Sequence, residues 1–176
     1  INHLINEIDR SQSIDDKMIG CTAIILAGLS YNDTRFLNYG LVLLKKIIKF
    51  SFDDNGFPKS RNIRQLTFYL KYFVLIREWL KESQTDIPEY INETIYYLGQ
   101  SYALICQDLN QNILFNGNHI AYNGDFENYL RRFGYKFKNE TNEVGGYVVL
   151  KNKKVALVMD VGEPPEKKFS TNYQSG

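Results

Sequence analysis

The chain has 176 residues, of which 44% are hydrophobic and 23% charged, and a formal net charge of +1. This is the balance of a globular domain, which excludes a disordered chain and leaves no long-range field to gather nucleic acid or an anionic membrane. Aromatic residues reach 14%, with 13 Tyr and 11 Phe, a content that suits half-wet surfaces and sugar-facing clefts as well as cores.

Residues 1–10 read as the tail of a helix. Ser13 then caps a second helix, whose positions Ile14, Met18, Thr22, Ile25 and Leu29 follow a three-four spacing until Gly28 and "SYND" end it. Asp33 caps a third, with one stripe through Phe36, Gly40, Leu43, Ile47 and Phe50. A second stripe, Leu37, Leu41, Leu44 and Ile48, runs beside it, so this helix is expected to be covered on more than one side. "DDNG" and Pro58 reverse the chain. The helix that follows carries Ile63, Leu66, Leu70, Phe73 and Leu80 on one face and Tyr69, Tyr72, Ile76 and Trp79 on another. Pro88 opens a fifth helix through Ile91, Ile95, Leu98, Tyr102 and Ile105. Helices buried on two faces fit a helical layer stack or an α/α toroid better than a lone four-helix bundle.

After Asp108 the period changes. "NILFN" (112–116) reads as a short strand and Asp125 to Arg132 as an amphipathic helix. "GGYVVLKNKKVALVMDVG" (145–162) reads as a β-hairpin with Asn152 in its turn, and Phe115, Val149, Val155 and Leu157 are expected to pack on the helical unit or on their own sheet. Helices first and strands afterwards give an α+β chain: residues 1–108 helical, 109–176 the beginning of a β unit, with a boundary near 108–112. No stretch is long and apolar enough to span a bilayer. The chain starts at Ile1 in mid-helix pattern and stops at "NYQSG", so it reads as an excerpt of a longer protein whose signal segment, if any, lies upstream.

Phosphate-loop, dinucleotide-binding, paired-His and nucleophile-elbow patterns are absent. Cys21 and Cys106 sit in apolar helical runs and read as buried free thiols, with a long-range disulfide as the alternative. His3 reads as a surface or helix-end residue. His119, in "FNGNHIAYNG", is either a loop residue or part of a cleft. "SRN" (60–62) has two readings as well. In one, Ser60 is a simple cap beside a solvated Arg61 and a first-turn Asn62; in the other, Arg61 and Asn62 join the converging helix amides in an anion site for a carboxylate or sulfate.

Taken in order, "LAGLSYNDTRFLNYGLVLL", "DDNGFPKSRNIRQL", "ILFNG", "GGYVVLKNKKVALVMDVGEPP" and "NYQSG" resemble the heparinase II/III-like family, especially its proteobacterial branch. The resemblance covers essentially the whole chain. It implies the end of an α/α toroid built of antiparallel helical hairpins, followed by the start of an antiparallel β-sandwich. It also implies kinship with polysaccharide lyases, which cleave uronate-containing chains such as heparin, heparan sulfate or alginate by β-elimination, and a place in the periplasm or cell envelope. β-Elimination needs donors that neutralise the uronate carboxylate, a base for the C5 proton and an acid for the leaving oxygen.

Carried onto this chain, the resemblance assigns acidic-glycan binding to Arg61, Asn62, Asn116 and Gln174. The family's acid/base Tyr and His positions correspond to Gln65 and Gln174, and an amide is not a general base. Tyr173 and His119 remain the candidates for proton transfer. Zinc ligands of some members lie on sandwich strands beyond Gly176, so no metal or other cofactor is assigned to this stretch. The partner implied is an acidic polysaccharide or oligosaccharide. The expected activity is therefore either a lyase or, on the same scaffold, a non-catalytic glycan-binding or envelope protein.

Overall fold

The computed structural model describes residues 1–107 and 125–172. Among them, six α-helices precede a small antiparallel sheet, so the chain is α+β. The helices are α1 (Asn2–Arg10), α2 (Ile14–Ser30), α3 (Thr34–Ser51), α4 (Ile63–Glu82), α5 (Glu89–Tyr102) and α6 (Asp125–Arg132). A π-helical turn, Ala103–Gln107, continues α5. The sheet holds β1 (Glu143–Val144), β2 (Tyr147–Lys151) and β3 (Ala156–Asp160) in that order. The chain forms two compact units, Ile1–Ser51 with Lys71–Thr94 and Phe52–Leu70 with Ile95–Gly176. The boundary expected near 108–112, the strand expected over 112–116 and Phe115 fall outside the described residues.

In the first unit the caps form where the sequence places them. Ser13 Oγ accepts from Asp16 N at 3.2 Å, and Asp33 Oδ1 accepts from Arg35 N at 2.9 Å and Phe36 N at 3.4 Å. Between α2 and α3, Gly28 lies against Leu37 and Gly40 against Ile25, so the contacts run in opposite directions along the two helices, as in an αα-hairpin. The close approach depends on the missing side chains. A Cβ on Gly28 would stand 2.5 Å from the backbone nitrogen of Leu37, which has no rotamer by which to yield. The Cys21 thiol donates to Gly40 O at 3.1 Å inside this contact. Tyr90 donates its hydroxyl to Leu41 O at 3.0 Å, which holds the start of α5 to α3.

The apolar faces predicted for α4 and α5 are largely buried, with Tyr72 and Trp79 of the second α4 face only half-buried. Ile63, Leu66, Leu70, Phe73 and Leu80 are inaccessible or nearly so, as are Tyr69 and Ile76 on the second face and Ile91, Ile95, Leu98, Tyr102 and Ile105. The first stripe of α3 is less covered than expected at its end, with Phe50 left exposed.

In the second unit β2 and β3 pair from Tyr147↔Asp160 to Lys151↔Ala156. Asn152 makes the turn as read from the sequence: its side chain accepts from Lys154 N and Val155 N, both at 2.8 Å. Gly145 and Gly146, at φ +55° and +78°, form the two-residue loop between β1 and β2. Val149 is buried as expected. Val155 and Leu157, expected to pack on the helical unit or on their own sheet, are instead 62% and 49% exposed. The pairing register explains this: side chains alternate, and these two share the face opposite Tyr147 and Val149.

Both cysteines are free thiols, Cys21 buried and Cys106 half-buried. Burial pushes the Cys21 thiol up to about 12, from an ordinary value of 9.0. Because the folded state resists ionisation, the stability this thiol contributes is present below its ordinary value and lost as pH rises toward its folded value. Native protein near pH 8 should leave Cys21 unmodified by iodoacetamide, and urea should release it to reaction; mass spectrometry of the alkylated peptide reads both. Gly28→Ala should cost roughly 2 kcal/mol in urea unfolding, because overpacking here pushes on backbone.

Candidate functional site

The turn before α4 is built by Asp53. Its carboxylate accepts from Asn55 N at 2.9 Å and Phe57 N at 2.8 Å, while Asp53 N donates to Phe57 O at 2.9 Å. Gly56, at φ +74°, lets the loop lie against Tyr97. Arg61 N then closes a second turn on Pro58 O at 2.8 Å.

Asn62 is the residue that caps α4, its Oδ1 accepting from Arg64 N at 2.9 Å. Ser60 lies one step further out. Its hydroxyl accepts from Asn62 N at 3.2 Å and donates to Gln65 Oε1. Ser60, Asn62 and Gln65 are all buried.

Between Ser60 and the Asn62 cap sits Arg61, at φ +57°, a left-handed conformation that non-glycine residues rarely adopt. It throws the side chain away from the helix axis and toward the sheet. Nε donates to Gly145 O at 3.1 Å. Nη1 donates to Gly162 O at 3.0 Å and Glu163 O at 2.9 Å. Nη2 donates to Gly146 O at 3.2 Å and to the Asp160 carboxylate. A guanidinium has five N–H donors, and every one has an acceptor here. From beneath, Tyr147 Oη donates to the Arg61 carbonyl at 2.6 Å, and the guanidinium lies 5.0 Å from the Tyr147 ring centroid.

Glycine makes the receptor possible. A Cβ on Gly146 or Gly162 would come within 2.9 or 2.6 Å of the guanidinium. Chain segments on either side of the hairpin can therefore close on a flat cation and offer their carbonyls edge-on. Arg61 is 8% exposed, so the cation is held out of water by acceptors of this same chain.

The expected site residues thus divide. Arg61 and Asn62 are brought together at the mouth of α4, but as a buried cap and a saturated clamp; a ligand carboxylate would have to displace Asp160. Asn116, His119, Tyr173 and Gln174 lie outside the described residues. Asp160, Tyr147 and the glycines at 145, 146 and 162 were not read as partners of Arg61. The signal available was the glycine pair before β2 and the "DVG" after β3, small residues flanking a hairpin where a flat group can enter. Among the described residues no group of three or more His, Cys, Asp or Glu side chains could hold a metal ion, and no helix is long and apolar enough to cross a membrane.

Compared with protein-family models, with curated proteins and with solved structures, the chain finds no match in any of the three.

Removing one partner of such a pair leaves a charge and several carbonyls uncompensated. Arg61→Ala should cost about 3 kcal/mol in urea unfolding. Arg61→Lys should recover little of it, because an ammonium cannot reach acceptors spread around a planar fork. A loss below roughly 0.5 kcal/mol for both, the scale of an exposed pair, would contradict the clamp.

Proposed function

We propose that the chain is part of a heparinase II/III-like protein, the junction of an α/α toroid and a β-sandwich, and that it binds an acidic glycan rather than cleaving it. One observation carries this reading. The segments "SRN", "GGY" and "DVG", each inside a motif of the resemblance, meet around the Arg61 guanidinium. Segments far apart in sequence that form one interlocked cluster support a shared scaffold better than any motif alone.

The same cluster favours binding over elimination. Gln65, at the family's acid/base position, is 3% exposed and bonded to Ser60, and an amide neither takes up nor gives up a proton near neutral pH. The lyase reading rests on Tyr173 and His119. By the resemblance, the protein acts in the periplasm or cell envelope.

Elimination creates a C4–C5 double bond conjugated to the uronate carboxylate, which absorbs in the near ultraviolet. Heparin, heparan sulfate, alginate and polyguluronate should produce no absorbance growth with the protein, while calorimetry should detect binding of at least one of them. Growth abolished by Tyr173→Phe or His119→Ala would establish the lyase and name its proton shuttle. Neither growth nor binding would refute both readings.

A further inference from the structure

The sheet runs in the order β1-β2-β3, so β3 is an edge strand among the described residues. Asn152 N donates to Val155 O and Val161 N donates to Gly146 O, both at 2.9 Å. The odd-numbered residues of β3 therefore turn their N–H and C=O groups toward β2. These groups alternate along an antiparallel strand, so the backbones of Ala156, Val158 and Asp160 face the outer edge. Side chains alternate as well. Val155, Leu157, Met159 and Val161 share the side of the sheet turned to solvent, each between 43% and 62% exposed.

This edge lacks the usual protection. Strand edges are commonly blunted by Lys, Pro or a bulge, whereas "ALVMD" (156–160) holds no Lys or Pro and pairs with β2 without a bulge. Its one charge, Asp160, is bound by Arg61.

β3 is complementary to itself. Two copies running antiparallel about a two-fold axis at Val158 set Val158 opposite Val158, Ala156 opposite Asp160, Leu157 opposite Met159 and Val155 opposite Val161. The outward backbone groups then meet each other, and each exposed apolar side chain meets an apolar one. Just beyond, Lys153 in the turn comes level with Glu163 of the second copy, and both are exposed. Other registers lose this match. An axis at Leu157 sets Lys153 against Val161, and an axis at Met159 sets Val155 against Glu163.

We propose that a second copy of this chain occupies the β3 edge, joining the two hairpins into one antiparallel sheet. The contact is isologous and closes on itself as a dimer. Asp160 keeps its side chain on the opposite face of the sheet, so the Arg61 clamp is untouched by pairing. One strand pair is a small interface, which makes the dimer weak and transient. The inference stands apart from the glycan reading.

Sedimentation velocity of the 176-residue protein over a concentration series tests it. Monomer should give way to dimer and to nothing larger. Val158→Pro removes an N–H that faces away from β2, so the hairpin keeps its ladder and its circular dichroism while the dimer weakens about tenfold. Lys153→Glu should also weaken it about tenfold, because both ends of the contact then carry like charges; adding Glu163→Lys to the same chain should restore it. Hydrogen exchange of the Val158 amide should slow as concentration rises. A monomer at every concentration would overturn the proposal, as would a dimer that Val158→Pro and Lys153→Glu leave intact. A Val158 amide equally protected at all concentrations would show the edge filled from within its own chain, and would overturn it too.

Discussion

A guanidinium taken out of water must find acceptors for five N–H groups, and that requirement organises the second unit. No single loop among the described residues supplies them all. The acceptors come from the β1–β2 turn, the end of β3 and the segment after it, so Arg61 cannot be satisfied until the hairpin has folded against the mouth of α4. The converse also holds. Two five-residue strands are marginal alone, and the far face of this pair leaves Leu150, Leu157 and Met159 between 43% and 50% exposed. The hairpin is therefore held through one face, by buried Tyr147 and Val149, and through the glycine-lined ends that receive Arg61.

The left-handed turn at Arg61 belongs to the same arrangement. Such a conformation costs on the order of 1 kcal/mol for a residue with a Cβ, and it persists where neighbours over-determine it. Pro58 O, the Asn62 cap and the Tyr147 hydroxyl all fix the backbone on either side. A cap alone would not need this geometry. The turn delivers a hydroxyl, a guanidinium and an amide together because each has a different receiver: Gln65, the hairpin and the first helical amides.

Much of the helical part was legible in sequence because its determinants are local. Ser13 and Asp33 cap where they stand, and the two faces of α4 follow from a period that one helix reads on its own. Asn152 is a comparable case in the hairpin, where its side chain replaces backbone partners two and three residues on. The inward or outward sense of β3 was not legible. Two apolar faces give no alternation to read, and only the pairing with β2 determines that Val155 and Leu157 turn outward. The partner of Arg61 was hidden for another reason. It lies about a hundred residues away, mostly in backbone carbonyls, which every residue possesses and no sequence pattern marks. "SRN" therefore supported both a cap and an anion site. The helix-end amides and the cation were visible, whereas the internal acceptors were not.

The account stands on Arg61 being saturated from within, and the guanidinium protons report this directly. In a side-chain nitrogen–proton correlation spectrum, Arg61 should show a slowly exchanging Nε–H and separate Nη resonances, since rotation about its C–N bonds would break several hydrogen bonds at once. Adding a uronate oligosaccharide should leave them unmoved. A single averaged Nη signal exchanging quickly with water, or a shift that saturates with the oligosaccharide, would contradict the account and make Arg61 a ligand-binding cation instead.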